Sequence, residues 1–270
     1  EHGAGTLRVI YPGTQFVYPA LGGNYEASLR VRDDGTFNDD DDYDGGGRKV
    51  KVSSSGSGLA AWADVRLMLP AGARAELNIG VGKVTLTNVN GHIGVEKATA
   101  GSLSIDTGSG DVTLAGHDGD LSVDTGSGNI VLGAVKSTGV SLDTGSGDVR
   151  VDGLTATGLE IDTGSGDVTV GGADVRDVGV DTGSGEIRIS LTSDIENLSV
   201  DTGSGDVEVT APKSLGVVVE IETSSGDITT EFPLQVTRKG RDGLSGTIGN
   251  GKGRISIDTA SGDVTLKQQP

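Results

Sequence analysis

Apolar residues along most of this chain follow a short alternating pattern that returns about every 19 residues. The triplet Leu103-Ser104-Ile105 leads into the pentapeptide Asp106-Thr107-Gly108-Ser109-Gly110, and a second triplet, Val112-Thr113-Leu114, follows it. Alternation at period two predicts strands with one buried face and one face in water. Each unit therefore predicts two strands of about three to five residues, joined by a glycine-rich corner and followed by a variable corner.

The pentapeptide recurs at nearly constant spacing. Six copies begin at Asp106, Asp124, Asp143, Asp162, Asp181 and Asp201, at intervals of 18, 19, 19, 19 and 20 residues. Two variants begin at Glu222 and Asp258. Because the period survives small insertions, the pattern is typical of one short unit stacked on itself. Weaker triplets at Val84 and Ile93 extend it backwards, so we expect about nine or ten coils between residue 75 and Leu266.

The fold class that fits these units is all-β, a single-chain parallel β-solenoid (β-helix). Each strand is expected to pair with its counterpart in the next coil, ~4.8 Å away. Residues 232–254 depart from the motif and predict a longer loop. Since Val264-Thr265-Leu266 is the last consensus strand, we expect an open edge there, which invites a second chain.

Aromatic residues divide the chain into segments 1–74 and 75–270. Seven of the eight fall within the first 62 positions. We expect segment 1–74 to be a β-rich cap or assembly segment and segment 75–270 to be the solenoid. The aromatic candidates for binding or assembly are Tyr11, Phe16, Tyr18, Tyr25, Tyr43 and Trp62.

A net charge of −18 argues against nucleic acid as a partner, because phosphates would be repelled. Arg238, Lys239 and Arg241, with Lys252 and Arg254, form a basic cluster that predicts either a solvated loop or a docking surface. No stretch is apolar enough for a membrane span. The chain starts at Glu1, so we expect a removed secretion signal and a secreted, surface or periplasmic protein.

The motif also matches the active-site phrase of aspartic proteases, as in residues 105–109. Those enzymes bring two carboxylates together from two large lobes, and a copy in every coil leaves no room for a lobe. Outward positions such as Ser122 and Thr169 offer no platform for a sugar ring, which argues against a polysaccharide lyase or hydrolase. His92 and His117 are expected to be solvated at corners. We therefore expect no enzyme.

The motif places carboxylates in two ladders, one led by Asp106 and the other by Asp111. In one interpretation, each Asp accepts hydrogen bonds from backbone N–H groups of its own corner, and Thr and Ser hydroxyls bridge coils. In the other, cations lie between coils, as in calcium-binding nonapeptide arrays, whose signature is matched only in part.

A stronger calcium candidate lies in the acidic run from Asn38 to Asp44. Asp40, Asp42 and Asp44 alternate and precede Gly45, as in the first half of an Asp-x-Asp-x-Asp-Gly calcium loop. Lys51 stands where such a loop has its final Glu, so a plain acidic loop is the alternative. No cofactor is required, and calcium is the only one that the sequence suggests.

The tandem units, Gly246-Thr247-Ile248-Gly249-Asn250-Gly251 and the final Ser261-Gly262-Asp263-Val264 resemble the bacterial adhesin-labelled β-solenoid family, also called toastrack domains. The resemblance covers roughly residues 75–270 and implies a non-enzymatic protein of the cell envelope or exterior. Our first hypothesis is a structural, adhesin-like solenoid that assembles head to tail into a filament. The alternative is a monomeric envelope module that binds a glycan or a signalling partner.

Overall fold

The computed structural model describes residues 13–18, 26–32, 37–39, 47–60, 76–79, 83–88 and 93–270. These residues form strands and connections and no helix, which confirms the all-β prediction. No segment among them could cross a membrane as a helix.

The first five strands form a separate sheet. They are β1 (Gln15–Val17), β2 (Glu26–Val31), β3 (Phe37–Asp39), β4 (Arg48–Ser53) and β5 (Leu59–Ala60). Their order across the sheet is β3-β2-β4-β1-β5, so β3 and β5 are the edge strands. Phe16 and Val50 are buried in it. In the described residues, no strand of this sheet pairs with the solenoid, so the capping role of segment 1–74 stays a prediction.

The remaining strands form the solenoid. They are β6 (Glu76–Ile79), β7 (Lys83–Asn88), β8 (Ile93–Thr107), β9 (Val112–Thr125), β10 (Ile130–Thr144), β11 (Val149–Asp152), β12 (Leu154–Thr163), β13 (Val168–Thr182), β14 (Ile187–Leu191), β15 (Asn197–Thr202), β16 (Val207–Ala211), β17 (Val217–Ser225), β18 (Ile228–Thr230), β19 (Leu234–Lys239), β20 (Gly243–Ile248), β21 (Gly253–Ser261) and β22 (Val264–Gln268).

Equivalent residues of successive coils pair in parallel and in register. Leu142 of β10 pairs with Val123 of β9 on one side and with Ile161 of β12 on the other. All three side chains are buried, while Ser141 beside Leu142 faces water. The core therefore consists of ladders of Val, Leu and Ile, and burying each such side chain contributes about 1.5–3 kcal/mol.

The predicted strand length is wrong for much of the solenoid. β8, β9, β10 and β13 run for 14 or 15 residues, because the variable corner is itself extended. Val135 at this corner pairs with His117 of the preceding coil and with Leu154 of the following one. All three are buried, so the corner supplies a further inward ladder.

The last coils do not stack in chain order. β21 lies between β15 and β17, and β22 lies between β16 and β18. The C-terminal coil is thus inserted between two coils that precede it in the sequence. The predicted open edge at Val264–Leu266 is wrong, since Val264 pairs with both Val207 and Ile228 and is 0% exposed.

An antiparallel hairpin, and not the predicted loop, occupies residues 234–248. β20 pairs with β17, and β19 pairs with β20. Leu234 packs against the core, and Phe232, just before β19, is buried in it. Among the described strands, β19 pairs with β20 alone, so its second edge is free. β18 pairs with β22 alone and has a second free edge at this end of the solenoid.

Candidate functional site

The residue after each glycine-rich corner takes part in a chain of hydrogen bonds that runs from coil to coil. The backbone N–H of Asp167 donates to Oδ1 of Asp148 at 2.9 Å, and that of Glu186 donates to Oδ1 of Asp167 at 2.8 Å. The same bond is accepted by Asp111, Asn129, Asp206 and Asp263. The prediction that each Asp binds its own corner is therefore wrong for this ladder, because its bonds join neighbouring coils.

Glu186 interrupts this chain of bonds. Its carboxylate forms an ion pair with Arg188, which lies in β14 just after it. In the described hydrogen bonds, the N–H of Asp206 does not donate to Glu186, whereas shorter Asp and Asn side chains accept at the equivalent positions. The bonding thus depends on side-chain length.

The first residue of the pentapeptide forms a second, exposed ladder. Asp201 is followed in space by Asp258 and then by Glu222, so the ladder continues through the inserted coil. Among the described residues, no hydrogen bond reaches the six Asp carboxylates of the regular copies. Partial desolvation, and then repulsion from Asp124 and Asp162, raises the pKa of Asp143. Desolvation, and then Asp201 and Asp162, raises the pKa of Asp181 in the same way.

The threonine of the pentapeptide faces inward, and in some copies its hydroxyl bridges coils, as one interpretation predicted. Thr107 and Thr182 instead donate to carbonyls of their own corners, those of Ser109 and Ser184. Oγ1 of Thr144 donates to the carbonyl of Gly128 in the preceding coil at 3.0 Å, and Oγ1 of Thr163 donates to Gly147 at 3.3 Å. Both threonines are buried. Thr202 is equally buried, yet its Oγ1 has no hydrogen-bond partner in the part of the chain that the structure describes.

The two glycines are required by the close approach of successive corners. A Cβ on Gly126 would lie 2.7 Å from the carbonyl oxygen of Gly108 in the coil before it. At Gly128, φ is 153°, and a Cβ would lie 2.3 Å from the carbonyl oxygen of Gly110. A side chain at either position of these regular corners would therefore separate the coils, whereas the two variant corners carry Ser224 and Ala260 at the first glycine position.

His117 is buried, so the expectation that it is solvated is wrong. It is 4% exposed, and its Nε2 lies 3.1 Å from the carbonyl oxygen of Asp120. It occupies a position of the inward ladder that Val135 and Leu154 take in the next two coils. His92 lies outside the described residues.

The calcium candidates Asp40, Asp42 and Asp44 also lie outside the described residues. Within the part that the structure describes, no three His, Cys, Asp or Glu side chains are grouped so that they could hold a metal ion. Calcium binding therefore stays a prediction that depends on the acidic run alone.

The predicted aromatic candidates are mostly outside the described residues as well. Phe16 is 4% exposed in β1, and its ring lies against Gly13, so it packs within its own sheet. Tyr18 is half-buried just after β1. Tyr11, Tyr25, Tyr43 and Trp62 lie outside the described residues.

The basic candidates lie on the hairpin. Arg238 is paired with Glu222 at 3.3 Å, whereas Lys239 and Arg241 are exposed and form no ion pair with a described residue. Arg254, from the same sequence cluster, is paired with Glu220 at 2.6 Å and lies in the inserted coil. The structure thus divides the predicted cluster between two strands.

Two exposed valines accompany these charges, and neither is among the residues predicted from the sequence. Val236 of β19 is 52% exposed, and Val218 of β17 is 43% exposed. The signal for Val236 was the alternation Leu234-Gln235-Val236, which predicts a strand where a loop was expected.

Together, the parallel coils, the inward Val, Leu, Ile and Thr ladders and the inter-coil Asp bonds define a repeat protein of the β-solenoid class. A family model described as "Toastrack DUF4097" matches residues 93–267, which is more than half of the chain. The chain therefore belongs to the toastrack family. Neither the curated proteins nor the solved structures gave a match.

Proposed function

We propose that this chain is a non-catalytic structural protein of the bacterial surface or exterior, adhesin-like, whose solenoid holds its end segments at a fixed separation. The observation that carries this proposal is the use of the motif's polar groups between coils. Asp148 and Asp167 accept N–H groups from the next coil, and Thr144 donates to the preceding one. A residue set that is occupied in this way holds coils together and is not arranged around a reacting atom.

The stacking distance sets the scale of the separation. At ~4.8 Å per coil, nine or ten coils extend about 45 Å. Outward residues along this length, such as Ser122 and Thr169, are small and alternate with buried ones, so they present a shallow surface. Specific contacts are then expected where the repeat ends.

One experiment tests the non-catalytic part. The purified chain would be assayed against peptide and glycan substrates between acidic and neutral pH, beside a variant with Asp143→Asn and Asp162→Asn. We expect no turnover by either protein. Turnover by the wild type that disappears in a folded variant would contradict the proposal.

A second experiment tests the location. Antibody labelling of intact bacterial cells, together with fractionation of the culture, should find the protein at the surface or in the medium. Recovery only from the cytoplasm would contradict that part of the proposal.

The second candidate is a monomeric module that binds a glycan or an envelope signalling partner. The free edge of β19, with exposed Lys239 and Arg241, favours it, because unpaired backbone groups and like charges are grouped there. Loss of ligand capture in a Lys239→Glu variant that remains monomeric would favour this function over the structural one.

A further inference from the structure

The observed order of the coils changes which strand edge is open to a second chain. β22 is paired on both sides, so it offers no edge. β19 has β20 on one side and no described strand on the other. An unpaired strand edge carries a row of N–H and C=O groups that another strand can satisfy.

The side chains of β19 are suited to an extended partner. Gln235, Val236 and Thr237 are all exposed, and Val236 adds apolar surface in the middle of the strand. A bulge between Val236 and Arg238 divides the edge into a neutral part and a basic part. A partner strand that pairs along this edge beyond the bulge would contact the basic side chains.

The charges on this hairpin select the partner. Lys239 and Arg241 are exposed, Asp242 follows on the turn, and Arg238 is offset by Glu222. The carbonyl of Asp242 accepts from the N–H of Thr223, which ties the turn to β17. A small positive surface thus stands out on a chain whose net charge is −18. It repels a second β19 and attracts an acidic strand.

The same chain contains such an acidic segment. β3 (Phe37–Asp39) is an edge strand of the N-terminal sheet, pairing with β2 alone among the described strands. The sequence continues from it as Asp39-Asp40-Asp41-Asp42-Tyr43-Asp44. It is the densest run of negative charge in the chain, and it lies at the opposite end of the sequence from β19.

We propose that the free edge of β19, with Lys239 and Arg241, binds the acidic segment 39–44 of a second copy of this chain. Because the two surfaces differ, the contact is heterologous. A copy that is bound through one surface still has the other surface available for a further copy. Repetition then gives a head-to-tail assembly, which stays open unless the rotation between copies closes it into a ring. This inference depends on the structural function proposed above and names the surfaces through which that protein would assemble.

The test uses sedimentation velocity of the full chain over a range of concentrations. At about 20 mM salt the wild type should form oligomers that grow with concentration, and at about 500 mM salt it should return to monomer, because screening shortens the reach of the charges. Lys239→Glu with Arg241→Glu should raise the assembly midpoint about tenfold or more. Asp40→Lys with Asp41→Lys should do the same.

Combining all four substitutions reverses both surfaces and should restore assembly at low salt. The control is Lys136→Glu with Lys213→Glu, which changes the net charge equally at exposed positions outside the hairpin and should assemble as the wild type does. Thermal melts should show the same midpoint for all variants, since the exchanged side chains in the described region are exposed.

Three results would overturn the inference: a monomer under all conditions, assembly unaffected by the β19 exchanges, or failure of the four-fold variant to reassemble. A monomer whose shape, but not mass, responds to the exchanges would mean that the segment docks within its own chain, which also overturns it. None of these results depends on enzymatic turnover or cellular location, so the structural function would be tested separately.

Discussion

At the scale of single residues, the positions in and just after the glycine-rich corner have separate physical roles. The first Asp is exposed and forms no hydrogen bond with a described residue. Thr donates inward, the glycines permit close approach, and the Asp after the corner accepts from the next coil. The alternation in the sequence predicted which apolar residues are buried. It did not predict the partner of Asp148, because a carboxylate beside a glycine-rich turn reaches its own N–H groups about as easily as those of a neighbour.

Asp143→Asn should stabilise the protein at pH 7. The raised pKa of Asp143 means that the folded state binds its proton more tightly than the unfolded state does. Stability from this group is therefore lost as the pH rises above the ordinary carboxyl pKa of about 4. Thermal melts should give the variant a slightly higher midpoint at pH 7, and the difference should vanish below about pH 3. A variant that melts earlier than the wild type at pH 7 would contradict this.

Thr202→Val and Thr144→Val form a matched pair. Both threonines are buried, but only Thr144 donates a hydrogen bond. Thr144→Val should therefore lower the free energy of unfolding by about 1 kcal/mol. Thr202→Val should leave it unchanged or raise it, because an unpaired buried hydroxyl is removed. Urea denaturation would measure both, and equal losses would show that the hydroxyl of Thr202 is bonded in solution.

At the scale of strands and coils, the 19-residue period predicted the parallel pairing in register. The order of the coils along the chain did not predict the order in which the last coils stack. Every coil presents nearly the same ladder residues, so the sequence of one coil does not determine which coil it contacts. Thr223 and Thr259 can both follow Thr202 in register, and the structure places Thr259 between the other two. β20 of the hairpin occupies one edge of β17, so β21 pairs with the other edge.

Engineered disulfides should detect this order. The chain has no cysteine, so any disulfide that forms within it joins the two introduced cysteines. Ser199 is paired with Ser256, and Ser256 with Glu220. Cysteines at 199 and 256 should therefore cross-link on oxidation, since neighbouring strands lie within the ~4.4–6.8 Å that a disulfide allows between Cα atoms.

Cysteines at 199 and 220 provide the matched alternative. Stacking in chain order would place them side by side, whereas the inserted coil separates them by about two strand spacings. Mobility in non-reducing gels would report the cross-links. Efficient cross-linking of 199 with 220, and none of 199 with 256, would contradict the inserted coil.

At the scale of the whole molecule, the regular coils account for the fold and the irregular ends for the proposed contacts. The family, the all-β class and the stacked coils could be predicted from the repeat, because many residues carry the same pattern. The surfaces proposed for assembly are not repeated along the chain, because each is formed by a single segment of sequence. Val236 and the free edge of β19 therefore could not be predicted from the period, and the calcium candidates Asp40, Asp42 and Asp44 stay predictions.

The central claim is that the repeated motif joins coils, and one measurement tests it most directly. Asp148, Asp167 and Asp206 would be replaced together, once by Ala and once by Asn, and urea denaturation would be followed by circular dichroism. Asn129 already accepts the inter-coil bond in the native chain, so the Asn variant should unfold at the wild-type midpoint. The Ala variant loses three bonds and should lose about 2–4 kcal/mol. Equal stability of the Ala and Asn variants would contradict the claim.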